Sequence, residues 1–493
     1  MIGVFPELGG FWMQSLEPDN NPATSEGLFV LVASEVVSAP VLVGDQVRVT
    51  GKVRERSGET LIYLEAADDL SIVSTGNSLP AAVELDPPQD NAESRVYYEA
   101  LEGMLVAVTD PALVVAPTSK YGEYELVRPS WDKARVMKGD PLGLLIFVDD
   151  GSSETHLDRS TLPYAVKTGD MVGDLLGPLS FTYENYKIQP IVTPTLILMD
   201  VPLPMLEPVG ANALSIATFN VENFFDIVDP HPSDPPKPKP AEYRLKLAKT
   251  ANTLVAMGAP TIVAFQEIEN VGVLEDLAEQ DMLIDYNYMP VLIEGFDSRG
   301  IDVGYLVRGD AASGGATLEG MSQHVAPEGL TSRPPLLITA TVHLDSGDQT
   351  VYVLNNHFTA MSGGEASTEP RRTAQAEWNV TLVQQLLAER PDAFAVVLGD
   401  LNSFYQSRPI DALREGGLRH VYEFVAPDLP YSYIYQGESE TLDHILVTPS
   451  LYEHLSRVTV LHVNADFPFA VPDDESPQHS SDHDPLVAVF TFD

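Results

Sequence analysis

The sequence predicts a multidomain protein in which an α/β layered C-terminal domain follows all-β modules. The first observation is length, because 493 residues exceed one ordinary core and suggest about three folding units of roughly 150 residues. The second is a change of pattern near Leu214. Before this residue, short alternating strands and turns predominate, whereas apolar strands alternate with amphipathic helices after it.

The first half of the chain is predicted to hold two β modules. Residues 1–88 alternate strand patterns with turns, as in Gly27–Ala33 and Gly44–Val53, and predict a small barrel. Residues 89–203 are predicted to form a second β module and a linker, because Gly169-Asp170 opens a phrase similar to that at Gly44. A chance similarity between turn–strand units explains this echo equally well.

The N-terminus reads like the interior of a strand region, since Met1-Ile-Gly-Val-Phe runs directly into further apolar residues. We therefore expect the natural chain to begin upstream, where a secretory signal would lie.

The C-terminal part, residues 211–493, is predicted to form one domain. Its helix patterns cover Glu242–Met257, which ends at Gly258, and Arg371–Glu389, which ends before Pro391. The proline-rich segment Asp229–Pro240 predicts an extended surface connection before the first helix.

The composition is strongly acidic. With 72 acidic and 28 basic residues, the formal net charge is −44, which suits a saline or extracellular medium and argues against binding polyanions through a broad basic face. The absence of cysteine excludes disulfides, thiolate metal sites and cysteine nucleophiles. No apolar run is long enough to cross a bilayer, so we expect no membrane partner, and no protein partner is identifiable.

Polar residues mark the ends of the predicted apolar strands. Four strands end in acids, amides or imidazole, and two late strands begin with them. If the late strands run antiparallel to the other four, all these side chains meet at one rim. The residues are Asn220, Gln266, Glu267, Asn355, Asn356, His357, Asp400, Asn402, Asp443, Asp482, His483 and Asp484.

Such a rim would combine carboxylates and histidines without thiolates, which is the ligand chemistry of Mg²⁺, Mn²⁺ or Ca²⁺. A cation of this kind suits hydrolysis of phosphate diesters. Each residue taken alone also fits an ordinary turn or strand end. Their joint placement favours a site.

The segments that carry these residues resemble the endonuclease/exonuclease/phosphatase superfamily, from about Leu214 to Phe492. They occur in the family's order, and the resemblance implies a four-layer αββα sandwich, the DNase I-like fold. The first half resembles the OB-fold modules of large secreted bacterial nucleases of this superfamily. The six matching segments are Thr218–Asn223, Ala264–Asn270, Asn355–Phe358, Leu398–Ser403, Thr441–Val447 and Ser481–Leu486.

The resemblance also implies roles for individual residues. Glu267 is expected to be the main metal carboxylate, with Asn220 and Asp482 near the same ion. Asp400 would orient or deprotonate the attacking water, and Asn402 would donate to a phosphoryl oxygen.

The same resemblance implies that Asp443 holds His483. His483 and His357 would bind the scissile phosphate and move protons. The histidine that acts as the acid, and the acidic partner of His357, both stay open.

Further candidates concern substrate binding. Arg333 and Tyr305 are predicted to contact substrate, although a packed strand tyrosine is the alternative for Tyr305. Arg371 and Arg372 fit ordinary helix-surface charges equally well. Base stacking in the OB-like modules would use aromatic residues, with core packing as the alternative: Phe11, Trp12, Tyr183 and Tyr186.

We therefore predict a divalent-metal-dependent phosphodiester hydrolase, namely a sugar-non-specific extracellular or periplasmic endonuclease acting on DNA, RNA or both. Mg²⁺ is the expected cofactor, with Mn²⁺ and Ca²⁺ as alternatives. A sphingomyelinase-like or inositol-phosphate phosphohydrolase is a second hypothesis. A non-catalytic nucleic-acid-binding scaffold is a third.

Overall fold

The computed structural model describes residues 1–19, 21–33, 41–131, 133–141, 143–228, 237–309, 314–425 and 430–492. Two compact units are present. The first comprises Met1–Val201 with Tyr435–Glu438 and Asp466–Val471, and the second comprises Pro202–Ile434, Ser439–Ala465 and Pro472–Asp493.

The first unit consists mainly of β-strands. A five-stranded sheet has the order β1-β2-β3-β6-β5, a nine-stranded sheet has the order β16-β13-β10-β11-β12-β15-β14-β9-β8, and β4 pairs with β7. One helix, α1 (Asn91–Glu99), is capped by the Asp90 side chain. The strands are β1 Gly3–Phe5, β2 Gly10–Gln14, β3 Gly27–Val32, β4 Gln46–Val49, β5 Lys52–Arg56, β6 Glu59–Leu64, β7 Leu70–Ser74, β8 Val83–Glu84, β9 Leu105–Val108, β10 Ala112–Ala116, β11 Tyr124–Val127, β12 Ile146–Val148, β13 Met171–Gly173, β14 Leu175–Thr182, β15 Asn185–Ile188 and β16 Thr195–Ile197.

The aromatic residues considered for base stacking have different environments. Phe11 and Trp12 are buried in the core, and the buried Tyr186 donates its hydroxyl to Glu99. The stacking prediction is therefore wrong for these three. Tyr183 lies at the turn between β14 and β15 and is 83% exposed. For this residue base stacking stays a prediction. The OB-like assignment and the division at residue 88 stay predictions.

The second unit contains fourteen strands and five helices within its described residues. The helices are α2 Pro240–Ala256, α3 Val271–Ala278, α4 Glu365–Glu389, α5 Arg408–Glu415 and α6 Pro449–Tyr452. The strands are β17 Ala213–Phe224, β18 Ile262–Ile268, β19 Tyr288–Leu292, β20 Asp302–Arg308, β21 Ala316–Gln323, β22 Leu336–Val342, β23 Gln349–His357, β24 Phe394–Asp400, β25 Arg419–His420, β26 Tyr433–Tyr435, β27 Glu438–Glu440, β28 Asp443–Val447, β29 Leu455–Val460 and β30 Leu486–Thr491.

These elements form four layers, as the sequence predicts. One sheet has the order β19-β20-β18-β17-β30-β29 and the other β21-β22-β23-β24-β28-β25. Apolar side chains of both sheets, such as Ile216 and Val353, share one central core. Separate outer cores pack α2 and α3 on the first sheet and α4 and α5 on the second. The αββα sandwich is therefore confirmed.

Strand directions bring the polar strand ends to one edge. β17 and β18 are parallel, as are β23 and β24. The late strands run the other way, since β28 is antiparallel to β24 and β30 is antiparallel to β17. The condition for a common rim is thus met.

The predicted helices are present with shifted ends. The helix predicted at Glu242–Met257 is α2, and the one predicted at Arg371–Glu389 is α4, which begins earlier, at Glu365. Pro370 is the sixth residue of α4, so the helix lacks the hydrogen bond that an N–H there would donate to the Ala366 carbonyl oxygen. Most of the proline-rich connection, residues 229–236, lies outside the described residues. None of the helices in the described part of the chain has the length and apolar character needed to cross a membrane.

Tyr305 on β20 links the two sheets. Its side chain is fully buried, and its hydroxyl lies 2.7 Å from the Leu336 carbonyl oxygen and 2.8 Å from that of Val353, both in the opposite sheet. Contact with substrate is excluded by this burial. The substrate-binding prediction for Tyr305 is therefore corrected to its alternative, a packed strand tyrosine.

We predict that Tyr305→Phe lowers the free energy of unfolding of the second unit by about 1–2 kcal/mol, because the buried carbonyls lose their hydroxyl donor. Urea titration followed by circular dichroism measures the change. Tyr183→Phe, at an exposed position, is the control and should leave the midpoint unchanged. Equal midpoints for both variants would contradict the structural role of the Tyr305 hydroxyl.

Candidate active site

Strand register sets three of the predicted catalytic residues side by side. On the second sheet, Asp400 of β24 is paired with His357 of β23 on one side and with Asp443 of β28 on the other. All three are buried. The second sheet therefore contributes an imidazole and two carboxylates to one edge.

Gly399 allows this close approach. A Cβ atom there would lie 1.9 Å from the carbonyl oxygen of Asn356, and its φ of +134° disfavours other residues. Gly399 is thus required for packing, whereas Asp400 beside it is a candidate for the chemistry.

The first sheet contributes Asn220 and Glu267. Asn220 donates its amide to Glu267 Oε1 at 3.4 Å and to Asp400 Oδ2 at 3.0 Å, so it bridges the two sheets. Glu267 accepts from the Asn223 backbone at 2.8 Å. Left-handed backbone at Glu222, Asn223 and Glu267, with φ between 46° and 68°, turns these ends out of regular strand geometry.

Asp443 and His483 form the closest pair of the site. His483 Nδ1 lies 2.7 Å from Asp443 Oδ2, and the Tyr433 ring lies 4.8 Å from the imidazole, centre to centre. Burial alone lowers the pKa of His483, but the nearby carboxylates of Asp443, Asp482 and Asp400 raise it well above its usual value. The surrounding carboxylates therefore favour the protonated form of His483.

His357 also lies beside carboxylates, but its pKa shifts in the opposite direction. Its Nε2 lies 3.4 Å from Asp400 Oδ2 and 3.7 Å from Glu267 Oε1. Burial, followed by the positive charges of Arg333, Arg299 and His483, lowers its pKa well below the usual value. Burial therefore favours the uncharged form of His357, and the nearer of the two carboxylates is Asp400.

Asp400 is held by amides. Its Oδ1 accepts from the Asn402 backbone at 2.8 Å, and its Oδ2 accepts from the Asn402 side chain at 3.2 Å. Burial raises the pKa of Asp400 to about 6, against the opposing effect of His483. The Asn402 amide also donates to the Phe358 carbonyl oxygen, so its predicted contact with a phosphoryl oxygen stays a prediction.

Carboxylates accumulate beside Asn220. Burial, and then the charges of Glu222 and Glu267, raise the pKa of Asp482 to about 7 despite His483 and Lys246 nearby. Burial is the main cause of this rise, and an amide and acids are the donors that hard cations take. These residues therefore fit a divalent metal.

These residues would suit a cation that retains several bound water molecules. No group of three or more His, Asp or Glu side chains within the described ranges is arranged to hold a metal ion. Mg²⁺ commonly binds through one or two carboxylates and retains several waters. Glu267 with Asn220 and Asp482 would meet that smaller requirement.

The three arginines considered for substrate binding donate hydrogen bonds to backbone carbonyl oxygens. Arg333 is buried, donates to the carbonyl oxygens of His357 and Phe358, and pairs with Asp297 at 2.5 Å. It holds the end of β23, while its contact with substrate stays a prediction. Arg371 donates to the carbonyl oxygens of residues 329 and 330, and Arg372 donates within its own helix.

Two cations of the site are absent from the sequence predictions. Arg299 lies 3.7 Å from Glu267, and Lys246 donates to the Glu222 carbonyl oxygen at 2.9 Å. The scarcity of basic residues in this acidic chain was a usable signal for Arg299. No comparable signal exists for Lys246, because helix periodicity does not show which turn faces the site.

A buried histidine pair supports the loop after Asp400. His420 accepts from the Tyr422 backbone, so its Nε2 carries the proton and donates to His444 Nδ1 at 2.9 Å. His444 Nε2 then donates to the Ser403 carbonyl oxygen at 2.6 Å. This chain requires both histidines to be neutral.

The fold and the site define a hydrolase domain of the DNase I-like type. The model described as the Endonuclease/Exonuclease/phosphatase family matches residues 215–463, and the chain belongs to this family. Its members are phosphodiesterase and phosphatase hydrolases, and they generally use divalent metal ions. A model described as a domain of unknown function (DUF8508) matches residues 60–197. The comparison with curated proteins gives no match.

Solved structures similar to this chain include three named proteins. Humanized D. rerio TDP2 is 17% identical, with a TM-score of 0.41, and covers 57% of this chain and 100% of that chain. The human Nocturnin catalytic domain is 16% identical, with a TM-score of 0.39, and covers 58% and 96%. A mannosyl-6-phosphatase of Bacteroides thetaiotaomicron is 19% identical, with a TM-score of 0.40, and covers 57% and 100%.

We predict that Asp443 and His483 act as one unit. His483→Ala and Asp443→Ala should each lower kcat on the order of 10²-fold or more. The double variant should cost little beyond either single change, because residues that serve the same step are non-additive. Steady-state kinetics on a phosphodiester substrate measures this. Multiplied losses in a folded double variant would show that the two residues act independently.

We predict that the histidine pair makes the second unit sensitive to acid. Burial lowers the pKa of His444 from 6.5 to about 4, so the folded state favours its neutral form. The stability from this group is complete above pH 6.5 and is lost as the pH falls towards 4, by about 3 kcal/mol.

Urea titrations between pH 4 and 7.5 measure the acid effect. His444→Gln should be less stable at neutral pH but show a shallower loss of stability on acidification. Parallel pH curves for the variant and the wild type would contradict this assignment.

Proposed function

We propose that this protein is a divalent-metal-dependent endonuclease that hydrolyses phosphodiester bonds of DNA, RNA or both without discriminating between the sugars. The observation that carries the proposal is the geometry of the rim. His483 Nδ1 lies 2.7 Å from Asp443 Oδ2, and His357 Nε2 lies 3.4 Å from Asp400 Oδ2, so two imidazoles and two carboxylates meet at one edge. The pKa of His483 is raised and that of His357 is lowered, and groups whose environments separate their pKa values in this way are suited to acid and base roles.

His483 is proposed as the general acid. Its Nδ1 is engaged by Asp443, which leaves Nε2 to donate a proton to the leaving oxygen as the P–O bond breaks. Asp443 fixes the orientation of the ring and stabilises its charged form. This assignment resolves the choice between the two histidines in favour of His483.

Asp400 is proposed as the group that orients and deprotonates the attacking water. A pKa of about 6 leaves it largely ionised near neutral pH while it still accepts a proton readily. The side chains of His357 and Asn402 both approach Asp400 Oδ2, at 3.4 and 3.2 Å. They are proposed to bind phosphoryl oxygens. In-line attack of water needs this positioning and no covalent nucleophile.

The proposed metal ligands are Glu267, Asn220 and Asp482, with Mg²⁺ as the first choice and Mn²⁺ or Ca²⁺ as alternatives. When bound, such an ion would neutralise charge on the phosphoryl oxygens and stabilise the leaving alkoxide. The proposal is supported by the grouping of acids here, since Glu222 and Glu267 both act on Asp482 and raise its pKa in addition to the effect of burial.

A nucleic acid substrate is favoured over the alternatives by the surroundings of the site. Two of the cations near the acids are already engaged by the protein, since Arg333 pairs with Asp297 and Lys246 donates to the Glu222 carbonyl oxygen, which disfavours a pocket for a polyphosphate. A silent scaffold would have no reason to retain the Asp443–His483 pair. The net charge of −44 supports an extracellular or periplasmic setting, where salt screens self-repulsion.

Metal removal tests the reaction class. The protein is incubated with plasmid DNA, RNA, sphingomyelin and bis-nitrophenyl phosphate, each with Mg²⁺, Mn²⁺, Ca²⁺ or EDTA. We expect cleavage of the nucleic acids with the metal ions, leaving 5′-phosphate and 3′-hydroxyl ends, and none with EDTA. Cleavage that persists in EDTA would exclude the metal mechanism, and turnover of sphingomyelin alone would favour the second hypothesis.

Glu267→Gln tests the main metal ligand. Replacing a charged oxygen donor by a neutral one should raise the metal concentration for half-maximal activity by about 10-fold or more, and excess Mn²⁺ should restore part of the rate. Glu275→Gln on α3, a solvent-facing glutamate, is the control. A Glu267→Gln protein with the metal dependence of the wild type would show that Glu267 is only a strand terminus.

A further inference from the structure

The segment Gly295–Gly300 joins β19 to β20 and reaches the candidate site. Its Arg299 approaches Glu267 Oε1 at 3.7 Å and Asn223 Oδ1 at 3.4 Å. Its Asp297 pairs with Arg333, which in turn holds the carbonyl oxygens that end β23. The segment therefore borders the site at the proposed metal ligand and is linked to His357.

Hydrogen bonds fix the backbone of this segment. The Gly295 backbone donates to Asp302 at 2.7 Å, and the Phe296 backbone donates to the Ser332 carbonyl oxygen at 2.8 Å. Asp297 accepts from the Ser332 hydroxyl at 2.9 Å and from the Arg299 backbone at 2.9 Å. The side chains of Phe296 and Arg299 therefore project from backbone positions that are held by hydrogen bonds.

The Phe296 side chain is left outside this framework. It is 66% exposed, although its backbone is held and its neighbour Asp297 is partly buried by ion pairs. Leaving a large apolar ring in water offers the folded protein no stability. An exposed aromatic ring on a hydrogen-bonded segment that borders a site for phosphate chemistry is suited to stacking on a flat ring of the substrate.

Arg299 complements this aromatic face with charge. Its side chain is 49% exposed, and its contacts with Glu267, Asn223 and Asp297 lie between 3.4 and 3.8 Å. These distances are longer than those of tight charge-assisted hydrogen bonds. The guanidinium can therefore turn to a phosphate at small cost, and it offsets the repulsion that the acids of the site exert on a polyanion.

We propose that Phe296 and Arg299 form a nucleotide-binding subsite, in which Phe296 stacks on a base and Arg299 pairs with the adjoining phosphate of the strand. The inference rests on the proposed function and adds how the strand is held. Stacking tolerates every base, because each has a flat π face. The subsite thus favours unpaired or locally opened strands with little sequence preference.

Equilibrium binding tests the subsite apart from catalysis. His483→Ala serves as the background so that the probe is not cut. Fluorescence anisotropy measures binding of two labelled probes in Mg²⁺: a ten-nucleotide oligothymidylate and a matching oligomer of abasic deoxyribose phosphates. Adding Phe296→Ala should weaken binding of oligothymidylate by about 10-fold and leave that of the abasic oligomer unchanged.

Matched variants separate stacking from general effects. Phe296→Trp should preserve binding, and Phe424→Ala, at another exposed phenylalanine (48%), should change neither probe. Arg299→Gln should weaken binding of both probes and reduce its salt dependence. Arg408→Gln, whose side chain is similarly exposed (47%), should not do so. Kinetics in the wild-type background should show Phe296→Ala raising KM more than it lowers kcat.

The outcomes distinguish the subsite from the proposed function. Equal losses on the two probes, or none with Phe296→Ala, would overturn the subsite even if the wild-type protein cuts DNA. If the wild type cuts no nucleic acid while the probes still differ as expected, the nuclease function fails and the subsite stands. Loss of binding in Phe424→Ala or Arg408→Gln as large as in the test variants would also overturn it.

Discussion

The site depends on one hydrogen bond that crosses the apolar centre of the sandwich. Gln266 of the first sheet donates to Asn355 Oδ1 of the second at 2.7 Å. The Asn355 amide then donates back to the carbonyl oxygens of Phe265 and Gly304. Buried amides are costly unless they are paired, so the sheets cannot slide past one another without breaking these contacts. Glu267 follows Gln266 directly, and His357 lies two residues after Asn355. This amide pair, together with the Tyr305 hydroxyl and the Asn220–Asp400 contact, sets the register between the halves of the site.

The pKa values of the buried groups at the rim depend on the charged side chains that lie near each group. His483 and His357 are both buried, and burial alone disfavours charge on either. Three carboxylates raise the pKa of His483, whereas two arginines and the other histidine add to the effect of burial on His357, although Asp400 and Glu267 also lie within 3.7 Å of its ring. The pKa of the same residue type is therefore raised at one position and lowered at the other. Asp400 lies near both histidines, and its pKa is raised to about 6.

The family resemblance implied the four layers, and the strand pattern predicted the polar edge, because strand ends and strand direction are local and topological properties. Of the twelve residues predicted at that edge, Gln266 and Asn355 instead pair with each other between the sheets. Eight belong to the candidate site: Asn220, Glu267, His357, Asp400, Asn402, Asp443, Asp482 and His483. Their individual roles stay predictions. Tyr305 was placed wrongly, since alternation along a strand shows that a side chain points inward but not that its hydroxyl meets the opposite sheet. Arg299 was missed because its place at the site depends on contacts with Glu267 and Asn223, which are distant in the sequence. Contacts of that kind are tertiary, and a single sequence does not display them.

The close approach at Gly399 has a consequence for how functional residues are recognised. Any Cβ there would overlap the Asn356 carbonyl oxygen, so a map of tolerated substitutions would mark this position as strictly as the carboxylate beside it. Gly399 has no group that performs chemistry. Mutational intolerance at this edge therefore reports the spacing of two backbones as readily as it reports a reaction. In this protein, acid–base groups must be recognised by their charges and contacts.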